Sequence, residues 1–200
     1  MTDAELGRAL PLPVPSAELE ARLASRRSAP AQALTAPGPS PAEIDRILVL
    51  GARTPDHGKL FPWRFVVMGP ARRAALAEAF RPLARRQADP GKALKVLTKL
   101  TAPPVSILVV SSPIVGHKVA VWEQQLSAGA ACMNLEHAAN ALGYSASWIT
   151  DWYSYDPDAL ALLGVGPDEQ AAGFIHLGTL SEPPLERPRP DLASRTLYQP

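Results

Sequence analysis

Apolar positions along the chain recur at helical and strand periods in turn, and proline stands at most of the changes between them. Ser16 precedes a segment running to about Arg26 in which Leu19 and Leu23 lie four apart, the spacing of one helical face. Ser40-Pro41-Ala42-Glu43 carries a complete helix start: serine as N-cap, proline in the first turn, and a glutamate that closes a capping box. Ile44, Ile47 and Leu48 supply its buried stripe. Residues 54–62 read as loop and residues 64–68 as a strand. Gly69-Pro70 opens a helix with Leu76, Phe80 and Leu83 on one face, and Asp89-Pro90 opens another that carries Leu94, Leu97 and Leu100 to a stop at Pro103-Pro104. Residues 105–111 form a nearly unbroken apolar run rich in β-branched residues, which predicts a strand covered on both faces.

The longest interval without proline runs from Ile114 to Asp156 and predicts the least interrupted helix, residues 119–142, ended by Gly143 in a left-handed cap. A strand over 144–149, a short helix from Asp156-Pro157 to Gly164, and a last strand over 173–178 follow. Helices and strands mix without βαβ alternation, and neither GxGxxG nor GxxxxGK[ST] occurs, so a Rossmann or P-loop reading has no support. The pattern predicts one α+β domain over residues 16–182, a small mixed or antiparallel sheet wrapped by helices. A proline-rich arm, 1–15, precedes it and a proline-rich extension, 183–200, follows.

Composition narrows the function more than the fold. Twenty basic residues against nineteen acidic ones leave a formal charge of +1, which argues against a nucleic-acid binder. No apolar run approaches the roughly 18 residues that cross a bilayer, and no secretory leader is visible, so the expectation is a cytoplasmic protein without a membrane partner. The single cysteine, Cys132, excludes an internal disulfide and reads as a buried structural thiol. The four histidines show no metal-ligand spacing, and no Gly-x-Ser-x-Gly elbow exists. With no catalytic constellation and no metal site of its own, the chain is expected to act through a bound cofactor.

Four segments offer contacts for one. Arg26-Arg27-Ser28 can surround a phosphate, because guanidinium groups present planar forks to its oxygens, but adjacent helical residues diverge by about 100° and both reach one phosphate only if the helix breaks there. Equally, two cations at a helix C-terminus are at home with its dipole. Arg53 and His57 bring donors to a loop followed by Trp63 and Phe65, which could wall an aromatic slot. Ser127 to Ala131 is a small-residue stretch whose Gly129 costs roughly 1 kcal/mol of helix propensity and so suggests close packing, in a core or across a dimer. Finally, Trp148-Ile149-Thr150-Asp151 ends a strand in a polar turn.

Taken in order, Arg26-Arg27-Ser28, Arg53-Thr54-Pro55-Asp56-His57 with Pro62-Trp63, residues 117–124, Ser127-Ala128-Gly129, residues 138–143, Trp148 and residues 173–178 resemble the nitroreductase family of FMN-dependent NAD(P)H oxidoreductases, nearest to its minimal YdjA-like branch. The resemblance implies an α+β homodimer with FMN at the interface. Arg26, Arg27 and Ser28 would hold the flavin's phosphate from one chain, and Arg53 and His57 would reach it from the partner. Trp148, Ile149 and Thr150 would lie against the cofactor, while Ala138, Ala139, Asn140, Ala141, Leu142 and Gly143 match a stretch assigned to the nicotinamide nucleotide. Hydride would pass through the flavin, in ping-pong fashion, to a nitroaromatic or quinone-like acceptor. A non-catalytic or weakly flavin-binding homologue, or a specialised flavin-dependent dehydrogenase, is the alternative. One departure motivates it: the family's turn reads Trp-Arg-[Ser/Thr]-Gly, whereas Ile149 and Asp151 occupy the arginine and glycine positions. If that arginine pairs with the phosphate, its loss predicts weaker binding, with Asp151 repelling the anion and Arg64 as a nearby substitute.

Overall fold

The structure, a computed structural model, describes residues 7–199; residues 1–6 of the expected N-terminal arm and Pro200 lie outside the described residues. Helix starts fall where the sequence places its caps. Ser16 accepts the Leu19 N–H at the head of α1 (Ala17–Ser25), and the full capping box of Ser40 and Glu43 opens α2 (Pro41–Gly51). Strand β1 (Trp63–Met68) leads to α3 (Pro70–Ala84). The segment expected as one helix after Asp89 is two, α4 (Pro90–Lys95) and α5 (Thr98–Thr101). Between them the Leu97 N–H bonds the Leu94 carbonyl and the Leu100 N–H bonds the Leu97 carbonyl, a three-residue spacing that interrupts the α-helical ladder, and both leucines are buried.

After β2 (Val105–Ser111) come α6 (Val121–Ala141), β3 (Ser145–Ile149), α7 (Pro157–Leu163) and β4 (Gln170–Gly178). Gly143 and Gly164 both take positive φ, 88° and 74°, as left-handed helix caps require. The strands form one antiparallel sheet in the order β1-β2-β4-β3, so β1 and β3 are its opposite edges. The expected α+β architecture is thus observed, antiparallel throughout.

Strand β2 divides the core in two. Ile107 and Val109 point to one face and meet Ile47 of α2 and Cys132, Leu135 and Ala139 of α6. Leu108 and Val110 point to the other and meet Leu76 and Phe80 of α3, Leu100 of α5 and Leu163 of α7. All four β2 side chains are buried, as a strand covered on both faces demands. Within one chain, the close helix approach is made away from Gly129. At Gly51 of α2 an added Cβ would fall on the side chain of Leu135, whereas at Gly129 it would meet only the Trp148 ring at an ordinary 3.8 Å. Among the described residues no helix is long and apolar enough to cross a membrane.

Candidate functional site

Helix α1 ends at Ser25, and Arg26 turns extended (φ −60°, ψ 137°), so the helix breaks where two arginines must part from it to face one ligand. The chain then runs beside the open edge of β3, where the Ala29 N–H donates to the Ala146 carbonyl (2.8 Å). Glu136 of α6 ties the two together. One carboxylate oxygen accepts the Trp148 N–H (3.0 Å) and the other accepts Arg26 Nη2 (3.4 Å), which also reaches Ser28 Oγ (3.2 Å). Burial raises the Glu136 carboxyl above its ordinary range against the opposing pull of Arg26 and the Trp148 N–H. The same burial, with Glu136 one turn away, pushes the Cys132 thiol up to about 12, as befits a structural rather than a reactive cysteine.

Arg27 donates from Nε to the Leu185 carbonyl (2.9 Å), and Arg189 donates to the Arg26 carbonyl (3.3 Å). The C-terminal extension therefore lies against the arginines, a neighbour that local pattern in 183–200 does not reveal. A cavity of about 280 Å³ opens here, lined by Arg22, Ser25, Arg26, Asn140, Gly143, Tyr144 and Ser145. Arg22 donates to the Asn140 carbonyl across it (3.0 Å). It joins the end of α1 to part of the stretch that runs from Ala138 to Gly143. Within that stretch Ala138 and Ala139 are core residues, leaving Asn140, Ala141, Leu142 and Gly143 to reach the surface.

The Trp148 ring is turned inward onto α6 and β4. Its Nε1 donates to the Ala172 carbonyl (3.1 Å), freed where a bulge interrupts the β2–β4 register, and a Cβ at Gly173 would collide with the indole. What β3 offers outward is its main chain. Ala146 and Trp148 share the outer edge, where their main chain bonds the Ala29 N–H and Glu136, while Ser145, Ser147 and Ile149 alternate with them toward β4. Thr150 Oγ1 accepts from Tyr155, an exposed phenol (3.0 Å).

Two expectations about the departure at 149–151 are corrected. Asp151 does not face the arginines as a free anion: it pairs with Lys99 (2.9 Å) and caps the short turn Trp152–Ser154. Arg64 does not stand beside position 149 of its own chain: it sits on β1, the far edge of the sheet, where Glu169 holds it (2.8 Å). Nor do Trp63 and Phe65 wall a slot. They stack on each other, centroids 5.2 Å apart, and Trp63 Nε1 is spent on Ser127 Oγ (3.1 Å).

Arg53 and His57 reach α6 from elsewhere. His57 Nδ1 lies 2.8 Å from Glu123 Oε2, and the Arg53 carbonyl accepts from Asn134 (3.2 Å). Glu123 and Glu136 are separated by roughly 20 Å of helix axis, and residues 134 and 136 diverge by about 200° around it. One chain therefore cannot bring His57 onto Arg26. A second cavity, about 320 Å³, opens beside the imidazole between Pro55, Asp56, Leu126 and Ala130. Among the described residues no cluster of acidic, histidine or cysteine side chains could hold a metal.

The Nitroreductase family model matches residues 23–179. The chain belongs to the nitroreductase family. YdjA of Escherichia coli strain K12, provisionally named an NAD(P)H nitroreductase, is 32% identical over 158 residues, covering 78% of this chain and 85% of that protein. Among solved structures, a nitroreductase-like protein from Bacillus cereus superposes with a TM-score of 0.80 at 17% identity, over 94% of this chain and 99% of that one. A nitroreductase from Bacteroides fragilis, crystallised with bound FMN, gives 0.71 at 19% identity, over 93% and 100%. The nitroreductase fold is thus shared across nearly the whole length, and Glu136, which joins the Arg26 and Trp148 segments of this member, is the residue that reading those segments singly leaves out.

Proposed function

We propose that this protein is an FMN-dependent NAD(P)H oxidoreductase working as a cytoplasmic homodimer, with residues 16–182 as its working domain. The observation that carries the reading is the pairing of Arg26 with Ser28 where the chain meets the open edge of β3, beside a polar cavity, with Arg27 between them in sequence and held by the Leu185 carbonyl of the C-terminal extension. That donor set fits a phosphate ester: two guanidinium forks and a hydroxyl where the helix has ended. FMN would supply the redox chemistry, accepting hydride from NAD(P)H and returning it to a nitroaromatic or quinone-like acceptor. The residues themselves bind and orient. Arg26, Arg27 and Ser28 hold the phosphate end, Trp148, Ile149 and Thr150 lie along the ring's rim, and the exposed part of residues 138–143 borders the nicotinamide nucleotide. Ile149 pairs with Phe174 of β4, so the substitution at this position leaves the strand and its outer edge in place.

Arg53 and His57 are lent by the partner, which fits their distance from Arg26 within one chain. Trp122, Leu126, Gly129, Ala130, Met133 and His137 recur at helical spacing along a face of α6 that its own chain leaves open or half covered. Helix α1 buries no residue at all, although nine residues are too few for a helix to stand alone in water. Both facts support a second copy as the cover. Introducing Trp122→Glu with Leu126→Glu is expected to give monomers in sedimentation and to abolish FMN retention. Dimers that keep their flavin would speak against the shared site.

The test of the activity is a visible spectrum of the purified protein, followed by NADH or NADPH without air. A yellow protein that bleaches, then recovers its colour with a quinone in alternating half-reactions, is the expected result. Arg26's engagement with Glu136 favours one other reading, a weak flavin binder without turnover. Colourless protein that FMN does not reconstitute would decide for it.

A further inference from the structure

Glu136 is a carboxylate in an unusual position. Its side chain is 4% exposed in the C-terminal half of α6, and Arg26 is the one cation within ion-pair distance of it among the described residues. From β3 it receives the Trp148 N–H; on α6 itself its titratable neighbours are the Cys132 thiol and the His137 imidazole, the latter held below its ordinary range by burial and by Arg26. Burial alone would favour the neutral acid. The pairing that opposes this is long at 3.4 Å, against about 2.7–2.9 Å for a strong charge-assisted bond, and uses one nitrogen that Ser28 shares.

We propose that a phosphate monoester entering this site draws Arg26 away from Glu136, and that the carboxylate, left buried without its counter-charge, takes up a proton from solvent, so that cofactor binding and proton uptake are coupled at this residue. The proposal rests on the reading of the Arg26–Ser28 end as a flavin phosphate site. A doubly charged phosphate outbids a singly charged carboxylate for the guanidinium, and a buried ion whose partner leaves is neutralised rather than kept. The protonated acid still accepts the Trp148 N–H through its carbonyl oxygen, so the β3 edge keeps its place. Glu136 is in this sense a positioning residue, fixing Arg26 while the site is open and releasing it when phosphate arrives.

Calorimetric titration of the apoprotein with FMN near pH 7.5, in buffers of different ionisation enthalpy, counts the protons exchanged; the ester's second ionisation, near 6, is then largely complete. Net uptake of between about half and one proton per site is expected, with affinity rising up to tenfold per unit fall in pH. Riboflavin, which lacks the phosphate, is expected to bind without uptake. E136Q, which keeps an acceptor for Trp148 but no charge, is expected to bind FMN with no uptake and a flat pH profile. FMN binding without proton uptake in the wild type, or equal uptake with riboflavin or in E136Q, overturns the proposal. The FMN–riboflavin comparison stands without the variant should that fold poorly. Failure of the wild type to bind either flavin would instead overturn the flavin reading, and this proposal with it.

Discussion

Arg73→Ala is expected to lower the unfolding free energy by roughly 3–5 kcal/mol, a large share of the 5–15 kcal/mol typical of a domain. Arg73 is 1% exposed. Its guanidinium donates from Nε to the Met68 carbonyl (3.1 Å), from Nη1 to Leu100 (2.8 Å) and from Nη2 to Pro104 (2.7 Å). Three chain ends, those of β1 and α5 and the entry to β2, are thereby pinned by one planar group. Truncation leaves three carbonyls without that donor and opens a cavity beneath α3, so lost hydrogen bonding and lost packing act together. Burial lowers the arginine's proton affinity, and the field of Arg73 and Lys99 adds to burial in holding His176 down at about 3, so the imidazole stays neutral and bonds to Ser106 (2.7 Å). Arg73→Lys should recover less than half of the loss, because an ammonium on a flexible stem cannot meet three divergent carbonyls. Urea unfolding reads the difference as a fall in midpoint at unchanged slope. A midpoint shift worth less than about 1 kcal/mol would show that the three carbonyls find other donors.

The importance of Arg73 is invisible locally: Arg72-Arg73 beside a proline reads as helix surface, and only the fold shows that one of the pair points inward. The same division runs through the molecule. Signals confined to a few residues were legible, because a cap or a left-handed glycine is decided by its own neighbours. Ser16, Ser40 and Asp156 cap where expected, and Gly143 and Gly164 end their helices. The strand at Val105–Ser111 was legible because burial on both faces writes itself as a continuous apolar run. Long-range matters were not. The break between α4 and α5 carries no sign in its leucine spacing, the close approach within the chain falls at Gly51 because Leu135 stands opposite, and Asp151 is paired with a lysine that no spacing rule connects to it. In the candidate site, Arg26-Arg27-Ser28 could be picked out by residue type, but Glu136 could not. Its role depends on α1, α6 and β3 meeting, and a glutamate among small helical residues carries no mark of that meeting.

Replacing Arg26 and Arg27 together by alanine is expected to weaken FMN binding by at least a hundredfold, at about 1.5–3 kcal/mol for each charged hydrogen bond lost. Neither arginine holds up the core. Both are half-buried, and their protein contacts are with Glu136, Ser28 and the C-terminal extension, so the apoprotein should still fold, with its midpoint lowered by the loss of the counter-charge of Glu136. Arg53→Ala with His57→Ala should cost flavin as well, through the opposite side of the same groove. The decisive measurement combines the two. If each site takes Arg26 and Arg27 from one chain and Arg53 and His57 from its twin, a mixed dimer of the two double variants holds one site with every defect and one with none. Random re-association should then restore bound FMN to about a quarter of the wild-type amount, since half the dimers are mixed and half their sites are intact. Sites built within single chains predict no recovery, because every site in the mixture would carry one damaged pair. Recovery near a quarter, read from flavin absorbance after gel filtration, would establish that the roughly 20 Å along α6 between the two contact points is bridged by a second copy of the chain.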